Sequence, residues 1–499
     1  MDDGGSAVGA PPANASLRVR WLGRVPYREA LAVQQALFDH GHEQHLLLLE
    51  HDHVFTYGRH ADLANNLRCD PAAVGADLVA IRRGGDITYH GPGQLVGYPI
   101  LTLPHAKGSL KYVHSVEELL IEVLAELGVA AGRLPEYPGV WVDHDGPEPR
   151  KIAAIGVRLA RGRTMHGFAL NHTTDMTYMR QHIVACGIAD RPVTSLAEEG
   201  VDVTMREIVD VVARLAGRRW GNGAIERQDV AWKHRPDDLA PFSRRGRLGD
   251  AADAGVTVGG RAHARLHDAG VTAGLSIATR KPEWLRPRVH HGPEVLQLKR
   301  TIRDLDLVTV CEDAGCPNLS ECWADGTATF MVLGERCTRA CGFCLVDTRH
   351  PEAPASDEPE RVAEAIARMG LEHAVLTMVA RDDLADGGMG HVARCVDAIR
   401  RRCPTTRIET LISDAKGDGA SLATLFDARP DVLNHNVETV ARLQRAVRPS
   451  AGYTRSLSVL ARAKEAGLVT KTGVMVGLGE TEDELVGCLA DLAGIGCDV

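Results

Sequence analysis

The chain has 499 residues and a formal net charge of −9, with 44% hydrophobic and 25% charged residues. This length exceeds one ordinary core and predicts at least two domains. The acidic balance argues against nucleic-acid binding, and the lack of any 18-residue apolar run argues against a membrane partner. Residues 1–16 lack the basic start and apolar stretch of a signal peptide, so we expect a disordered tail on a cytoplasmic protein.

Residues 17–235 predict a mixed α/β domain. Helical apolar spacing marks YREALAVQQALFDHG, and capping boxes predict helices starting at Ser115, with Glu118, and at Thr204, with Glu207. Strands are predicted at LRVRWLGRV, HLLLLEH, VWVD, KIAAIGVRLA and MHGFALNH.

Residues 236–276 are rich in Gly, Ala, Arg and Asp without sustained periodicity. We interpret them as a linker, with a small irregular subdomain as the alternative. Residues 277–499 then alternate apolar strands with amphipathic helices, which predicts a parallel sheet or barrel. The predicted strands are TFMVLG, HAVLTM, RIETLI, DVLNHN and VTKTGVMVG.

The densest pattern of the first half is RRGGDITYHGPGQLVGYPI, Arg82–Ile100. Glycines at 84, 85, 91 and 93 allow a backbone to approach a ligand closely. Arginine, threonine, tyrosine and histidine side chains lie among them. The combination predicts a ligand-binding loop, although two turns flanking a strand would give the same glycines.

Two reactive side chains follow this loop in the sequence. Lys151 begins KIAAIGVRLA, and Cys186 lies in ACGI, a glycine-containing loop outside any apolar run. A thiol is nucleophilic as its thiolate, which a neighbouring cation favours. A lone cysteine is more often an inert buried residue, so the role of Cys186 depends on whether the fold brings Lys151 near it.

The segments RRGGDITYHGPGQ, KIAAIG, MHGFALN and ACGI together resemble the lipoate-protein ligase B family of octanoyltransferases. The resemblance implies a fold of the biotin/lipoate ligase type over residues 17–235, and no cofactor for this domain. It implies that Cys186 forms an octanoyl thioester, and that Lys151 favours the thiolate and later shuttles a proton at the acceptor amine. The implied substrate-contacting residues are Arg83, Gly84, Gly85, Asp86, Ile87, Thr88, Tyr89, His90, Ala154, Ile155, Gly156, Gly167, Phe168 and Ala169.

The implied partners are octanoyl-acyl carrier protein, the lipoyl domains of 2-oxoacid dehydrogenase E2 subunits, and the glycine cleavage H protein. An apolar trough is needed for the acyl chain, and we expect Ile155 and Phe168 to line it. Four basic residues would form a docking patch for the acidic carrier protein, or else a solvated face: Lys111, Arg158, Arg161 and Arg163. The alternative for this half is an ATP-dependent lipoate or biotin ligase, which has no need of the Cys186 and Lys151 pair.

Six of the twelve cysteines lie between residues 311 and 344, in two sets of three. The sets are Cys311, Cys316 and Cys322, spaced C-x4-C-x5-C, and Cys337, Cys341 and Cys344, spaced C-x3-C-x2-C. A structural zinc site takes four ligands, often in C-x2-C pairs, whereas three thiolates leave one iron of a cubane cluster open. The spacing favours iron–sulfur binding, with zinc or a redox cluster as alternatives. We interpret Cys395, Cys403, Cys488 and Cys497 as structural.

The segments VCEDAGCPNLSECWADGTATFMVLGERCTRACGFCLVD, RDDLADGG, PDVLNHNVETVARLQRAVRPSAGYTRSLSVL and GVMVGLGETEDE resemble the lipoyl synthases of the radical S-adenosylmethionine superfamily. The resemblance implies a partial (β/α) barrel. The second cysteine set of the chain would then hold a 4Fe–4S cluster. The open iron of that cluster would bind S-adenosylmethionine for cleavage to a 5′-deoxyadenosyl radical.

The first cysteine set would then hold an auxiliary 4Fe–4S cluster that donates sulfur to the octanoyl chain. Asn434 and Glu438 resemble cofactor-side positions. The alternative for this half is a non-catalytic scaffold that holds an iron–sulfur cluster or zinc.

The sequence departs from the lipoyl synthase pattern at three places. Met378 and Ala380 replace a hydroxyl and a carboxylate, ISDAKGD differs from a Pro-Asp-Phe pattern, and the sequence stops at GIGCDV, before a late Arg-Ser-Ser-Tyr segment whose serine ligates the auxiliary cluster. We therefore expect a C-terminally truncated, incomplete barrel with an exposed auxiliary cluster and doubtful synthase activity. A fusion of the two domains would hold a transferase and the enzyme that consumes its product at raised effective concentration.

Overall fold

The computed structural model describes residues 16–59, 61–103, 109–232, 300–302, 304, 305, 307, 309, 326–344 and 346–499. The chain divides into two compact units, Met1–Trp232 and Lys233–Val499. The predicted linker at 236–276, nearly all of the predicted tail, and the first cysteine set lie outside the described residues. None of the helices within the described ranges has the length and apolar composition needed to cross a bilayer.

The first unit is built on a mixed eight-stranded sheet. Its strands are β1 (Leu17–Arg24), β2 (Gln44–Glu50), β6 (Gln94–Ile100), β7 (Ala131–Leu134), β8 (Tyr137–Val142), β9 (Arg150–Ala160), β10 (Arg163–Asn171) and β11 (Ile225–Asp229). A smaller three-stranded sheet contains β3 (Val54–Tyr57), β4 (Asp77–Ala80) and β5 (Thr88–His90). The strand orders are β11-β1-β2-β6-β10-β9-β8-β7 and β4-β3-β5.

The helices of this unit are α1 (Tyr27–His40), α2 (Leu63–Asn66), α3 (Ser109–Glu126), α4 (Thr177–Arg180) and α5 (Met205–Trp220). The α3 and α5 helices bury apolar stripes against the large sheet. Along α3 the buried residues Val116, Leu119, Leu120 and Val123 follow helical spacing and join the same core as Leu48. This packing covers one face of the sheet and leaves the β9–β10 hairpin to form part of a ligand-sized pocket.

The two predicted capping boxes have different outcomes. At α5 the Thr204 side chain accepts from the Glu207 backbone and the Glu207 carboxylate accepts from the Thr204 backbone, so that box is confirmed. The box at Ser115 is wrong, because α3 begins at Ser109 and Ser115 lies inside it. The buried Ser115 hydroxyl accepts instead from the Trp220 indole at 3.2 Å, which ties α3 to the end of α5.

The second unit has a five-stranded parallel sheet in the order β12-β13-β14-β15-β16. The strands are β12 (Thr327–Val332), β13 (His373–Met378), β14 (Arg407–Leu411), β15 (Val432–Asn434) and β16 (Val469–Lys471). The helices are α6 (Glu358–Met369), α7 (Met389–Arg402), α8 (Gly419–Asp427), α9 (Gln444–Val447), α10 (Tyr453–Glu465) and α11 (Glu482–Gly494). All five predicted strands are present, and the parallel βα order brings their carboxyl ends to one edge.

Removing the α5 cap should destabilise the first unit. We expect Thr204→Ala to lower its free energy of unfolding by about 1 kcal/mol, because the backbone N–H of Glu207 loses its acceptor. Thr204→Ser, which keeps the hydroxyl, is the matched control and should stay near the wild-type value. Urea unfolding followed by hydrogen exchange of α5 peptides measures the change; equal stability of the alanine and serine variants would contradict it.

Candidate functional site

A pocket of about 450 Å³ opens in the first unit, with the β9–β10 hairpin as one wall. It collects fourteen of the sixteen residues that the sequence singles out in this domain. These are Arg83, Gly84, Gly85, Asp86, Thr88, His90, Lys151, Ala154, Ile155, Gly156, Gly167, Phe168, Ala169 and Cys186.

The pairing of β9 with β10 sets the shape of this wall. Gly156 lies opposite Gly167, and Ile155 lies opposite Phe168. A Cβ on Gly156 would come within 2.9 Å of the Arg83 Cδ, and one on Gly167 within 2.2 Å of the carbonyl oxygen of Gly97. Both glycines are therefore required by close contacts, which explains why the motif contains them.

Cys186 lies on a sharp turn next to β5. Its φ of 58° is in the left-handed region, which is unusual for a residue with a Cβ. The backbone N–H of Cys186 donates to the carbonyl of Ile87 at 2.8 Å. The strained turn and this hydrogen bond together fix the thiol at the pocket wall.

Alternation along β5 explains the two predicted residues that do not line the pocket. Thr88 and His90 face the pocket. Ile87 and Tyr89 are buried in a separate core cluster with Phe55, on the other side of the strand. Ile87 still contributes to the site through its carbonyl, which holds Cys186.

Lys151 is buried, with 5% of its surface exposed, at the start of β9. Its ammonium lies 4.8 Å from the centre of the Trp141 ring, a cation–π contact. Its backbone N–H donates to the carbonyl of Pro192, and its carbonyl accepts from the N–H of Thr194, both at 2.9 Å. The segment that begins with Cys186 thus returns to pair with Lys151, which places the two reactive side chains in one pocket.

Arg83 lines the pocket from within the glycine-rich loop. Its guanidinium donates to the carbonyl of Gly84 at 2.9 Å and to the carbonyl and hydroxyl oxygens of Thr56 at 2.8 and 3.2 Å. Burial lowers the pKa of Arg83, while the nearby Cys186 thiol acts in the opposite direction. Arg83 therefore contributes positive charge close to the sulfur.

Two buried histidines, His90 and His166, line the pocket, and a third, His51, packs against the His90 ring. Burial lowers the pKa of His51 to about 4 and those of His90 and His166 to about 3. The His51 Nε2 lies 2.7 Å from the Tyr98 hydroxyl, and the His90 Nδ1 lies 2.8 Å from the Gln94 side-chain oxygen. All three rings are consequently neutral near pH 7.

Other lining residues were not predicted from the sequence. They include Tyr27, Ile81, Tyr98, Tyr137, Val157, His166 and Ile188. Tyr27 begins α1, where no local motif links it to the loop, whereas Tyr98 lies on β6 inside the quoted segment Arg82–Ile100 and was overlooked there. His166 directly precedes the predicted Gly167 in MHGFALN, and that adjacency was a usable signal.

The basic residues proposed as a carrier-docking patch pack partly against α1. Arg158 and Arg161 lie 5.0 and 4.9 Å from the centre of the Phe38 ring, and Arg161 pairs with Asp39. Arg163 donates to the Thr102 hydroxyl at 2.7 Å. These three guanidiniums therefore have local contacts that hold α1 to the β9–β10 hairpin.

The second cysteine set lies at the carboxyl edge of the parallel sheet. Cys337, Cys341 and Cys344 follow β12 on one loop. Arg339, in the same loop, donates two hydrogen bonds of 2.8 Å to Asp382 and one of 2.6 Å to the fully buried Asp414. Since these carboxylates follow β13 and β14, Arg339 ties the cysteine loop to the ends of two neighbouring strands.

The two residues predicted to lie beside the cofactor, Asn434 and Glu438, are at the same carboxyl edge of the sheet. Asn434 ends β15, donates to Glu409 at 2.8 Å, and has a buried side-chain oxygen that finds no hydrogen-bond partner among the described residues. Glu438 has a φ of 69°, and burial raises its pKa. Burial acts to raise the pKa of Glu409, but hydrogen bonds from His373, Asn434 and Lys471 outweigh it and lower the value to about 2.

The cysteine loop fits an iron–sulfur cluster in donor chemistry. Within the described ranges no three His, Cys, Asp or Glu side chains converge as a ready metal site. The three thiols nevertheless interact electrostatically, and Arg339 and Arg448 act on Cys341 as nearby positive charges. Three soft thiolates with cations to offset their charge suit a cluster with one open iron. The orphaned Asn434 oxygen offers an acceptor for a cofactor at the same edge.

Comparison with known families gives one match for each of the two units. Residues 26–215 match the lipoyl protein ligase A/B catalytic domain, and residues 331–492 match the radical SAM superfamily. These matches and the observed topologies confirm the predicted fold classes, a mixed α/β ligase-type unit and a parallel-sheet radical SAM unit. A radical SAM domain implies an iron–sulfur cluster and S-adenosylmethionine as cofactors.

Individual relatives extend this comparison. Lipoyl synthase from Mycobacterium leprae is 53% identical over 220 residues, which are 44% of this chain and 70% of the relative. Lipoyl synthase from Nocardia farcinica is 48% identical over 251 residues, 50% of this chain and 70% of the relative. An archaeal bipartite lipoate protein ligase from Thermoplasma acidophilum, 18% identical, matches 47% of this chain and 95% of its own with a TM-score of 0.37.

The chain belongs to the lipoyl synthase family through its second half and carries a lipoyl protein ligase A/B catalytic domain in its first. It is an enzyme of lipoate biosynthesis and protein lipoylation, with a ligase- or transferase-type domain and a radical SAM domain.

Because three buried histidines are held neutral, we expect the stability of the first unit to fall steeply as the pH is lowered. Their folded pKa values of about 3 to 4 lie below the value of about 6.5 for an unfolded histidine. The unfolded state therefore binds protons first, and stability is lost as the pH falls below about 6.5 toward 4, by about 1.4 kcal/mol per pH unit for each histidine.

Urea unfolding between pH 6 and 5, read from hydrogen exchange of β9 and β10 peptides, measures this slope. His166→Asn should reduce it by about one third, because asparagine does not titrate and tolerates the left-handed backbone at this position (φ 61°). A slope unchanged in the variant would show that His166 is not held neutral.

Proposed function

We propose that the first unit transfers an octanoyl group from acyl carrier protein, through a thioester on Cys186, to a lysine of a lipoyl-domain protein. The observation that carries this proposal is the joint presence of Cys186 and Lys151 in one largely apolar pocket of about 450 Å³. Such a volume is in the range of small-molecule sites, about 300–1,000 Å³.

The wall of the pocket suits an apolar acyl chain. Ile155, Val157 and Phe168 line it from the β9–β10 hairpin. The Phe168 ring lies over Gly97, where a Cβ would come within 2.1 Å of it. The Phe168 ring therefore occupies a fixed place along the trough that would hold the chain.

The chemistry requires one nucleophile and one group that moves protons. The Cys186 sulfur attacks the donor thioester carbonyl, and the carrier's thiol leaves with a proton. The acceptor amine then attacks the new thioester and must lose a proton. We assign the acceptance of this proton to Lys151, and its position in the lining of the same pocket supports that role. The reaction exchanges acyl bonds, and ATP is not consumed.

For the second unit we propose insertion of sulfur into the octanoyl chain. Cys337, Cys341 and Cys344 would hold the 4Fe–4S cluster, and Asn434 and Glu438 would lie beside S-adenosylmethionine. Bound there, such a cluster would supply the electron for reductive cleavage of S-adenosylmethionine. Cys311, Cys316 and Cys322, outside the described residues, would hold a second cluster.

The two proposed activities form consecutive steps on one substrate. An octanoylated lipoyl domain is the product of the first unit and the substrate of the second. The partners would therefore be octanoyl-acyl carrier protein and lipoyl-domain proteins, such as E2 subunits and the H protein. The solved Thermoplasma ligase is described together with its E2 lipoyl domain, which is consistent with such an acceptor.

Incubation with octanoyl-acyl carrier protein should add one octanoyl group to the wild-type protein, as measured by intact-mass spectrometry. Cys186→Ala should show none and should lose transfer to an apo lipoyl domain by at least about 10³-fold, because the nucleophile is absent. Cys69→Ala, a half-buried cysteine outside the pocket, is the matched control and should behave as wild type.

Two outcomes would contradict this assignment. Acylation of the Cys186→Ala protein would exclude Cys186 as the acyl carrier. Strict dependence of transfer on ATP would favour the ligase alternative.

In anaerobically reconstituted protein, Cys341→Ala should contain about four fewer irons per chain and should form no 5′-deoxyadenosine from S-adenosylmethionine, because the cluster loses one of three thiolates. Cys403→Ala removes a half-buried cysteine of the same unit and should retain both. Iron, sulfide and zinc analysis gives the readout. Zinc without sulfide in the wild-type protein would establish the scaffold alternative instead.

A further inference from the structure

The Arg83 guanidinium has an unusual electrostatic position in the acyl pocket. Its hydrogen bonds go to the neutral oxygens of Gly84 and Thr56, and it forms no salt bridge with any carboxylate of the described residues. A half-buried cation without an ion-pair partner is costly unless an anion forms beside it during function.

Two anions near Arg83 could fill this role, the Cys186 thiolate and the Asp86 carboxylate. His90 and His166 are neutral near pH 7, and burial keeps Tyr27 and Tyr98 protonated by raising their pKa values. Asp86 also favours the charged form of Arg83, but its carboxylate oxygens accept from the Asn66 amide and the Ile87 N–H, and within the described residues they form no salt bridge with Arg83. Among the groups that favour the charged form of Arg83, Cys186 has the largest effect.

Lys151 is poorly suited to hold a thiolate throughout the reaction. To accept a proton from the acceptor amine it must be neutral at that step, and a neutral amine stabilises no anion. An arginine remains charged at every accessible pH. Stabilising the thiolate and exchanging protons therefore call for two different basic residues, and the pocket contains both.

We propose that Arg83 is the electrostatic partner of the Cys186 thiolate, while Lys151 handles the protons. This assignment of separate roles to Arg83 and Lys151 rests on the proposed acyl transfer. A backbone requirement supports it, because a Cβ on Gly156 would come within 2.9 Å of the Arg83 Cδ. The hairpin thus leaves the space that lets the Arg83 stem lie against β9.

In the first step the Cys186 thiolate forms a bond to the acyl carbon and the carrier's C–S bond breaks. The departing thiolate takes a proton from the Lys151 ammonium. In the second step the acceptor nitrogen bonds to the acyl carbon, the Cys186 C–S bond breaks, and Lys151 takes the amine proton. Cys186 leaves as a thiolate beside Arg83, and no oxidant or reductant is needed.

Alkylation of Cys186 by iodoacetamide at pH 7 tests the pair without any acyl substrate. Peptide mass spectrometry of the full chain follows the rate at this one cysteine. We expect Arg83→Gln to slow it by about tenfold or more, since an adjacent opposite charge changes the thiolate fraction by at least that factor. Arg83→Lys should recover most of the rate, because it restores the charge.

The matched control is Arg82→Gln, which removes the neighbouring exposed arginine outside the pocket and should label as wild type. Lys151→Gln should abolish acyl transfer while reducing labelling less than Arg83→Gln does. If the glutamine variant unfolds at a lower temperature than the wild-type protein, Arg83→Met replaces it, because methionine keeps an unbranched stem against Gly156.

Labelling of a folded Arg83→Gln or Arg83→Met protein at the wild-type rate would overturn the inference. So would a larger loss of labelling in Lys151→Gln than in either. Failure of the wild-type protein to transfer octanoyl would remove the proposed function and leave the measured Arg83–Cys186 pairing intact, so the two failures are distinguishable.

Discussion

The antiparallel pairing of β9 with β10 is the constraint on which the first site depends. It sets Gly156 opposite Gly167 and Ile155 opposite Phe168, so one wall of the pocket contains both the room for Arg83 and the apolar surface. Lys151 lies at the start of β9, where its backbone pairs with the segment that follows Cys186. The register of this one strand pair thereby determines the shape of the apolar trough and the position of Lys151.

The second unit positions its reactive loop differently. The cysteine loop has little regular structure of its own, and Arg339 anchors it through charged hydrogen bonds to carboxylates after β13 and β14. The sheet therefore supplies fixed points at its carboxyl edge, and the loop is held to them by side chains. The first unit holds its nucleophile by backbone hydrogen bonds, and the second adds this ion-pair network to the backbone hydrogen bonds of Thr338 to Ala380 and of Gly342 to Val447.

Much of this arrangement could be predicted from local sequence. Apolar runs predict all five strands of the second unit and β1, β2, β8, β9 and β10 of the first, whereas they do not predict β3 to β7 or β11. Thr204 with Glu207 marks the start of α5. Ser115 misled because its Ser-x-x-Glu pattern recurs inside a helix, where the hydroxyl bonds to a residue 105 positions away. Tyr27 could not be predicted for a related reason: it reaches the pocket through tertiary packing, and no spacing along the chain records such a contact.

The segment from Cys186 to Thr194 has a consequence for inherited variation. Its first residue is held by the carbonyl of Ile87, and its far end is paired with the backbone of Lys151. A missense change at Pro192 or Val193 touches no reactive atom, yet it would displace the nucleophile and the base together. We expect such alleles to mimic loss of either catalytic side chain, so a survey of natural variants confined to Cys186 and Lys151 would miss part of the sequence that the reaction constrains.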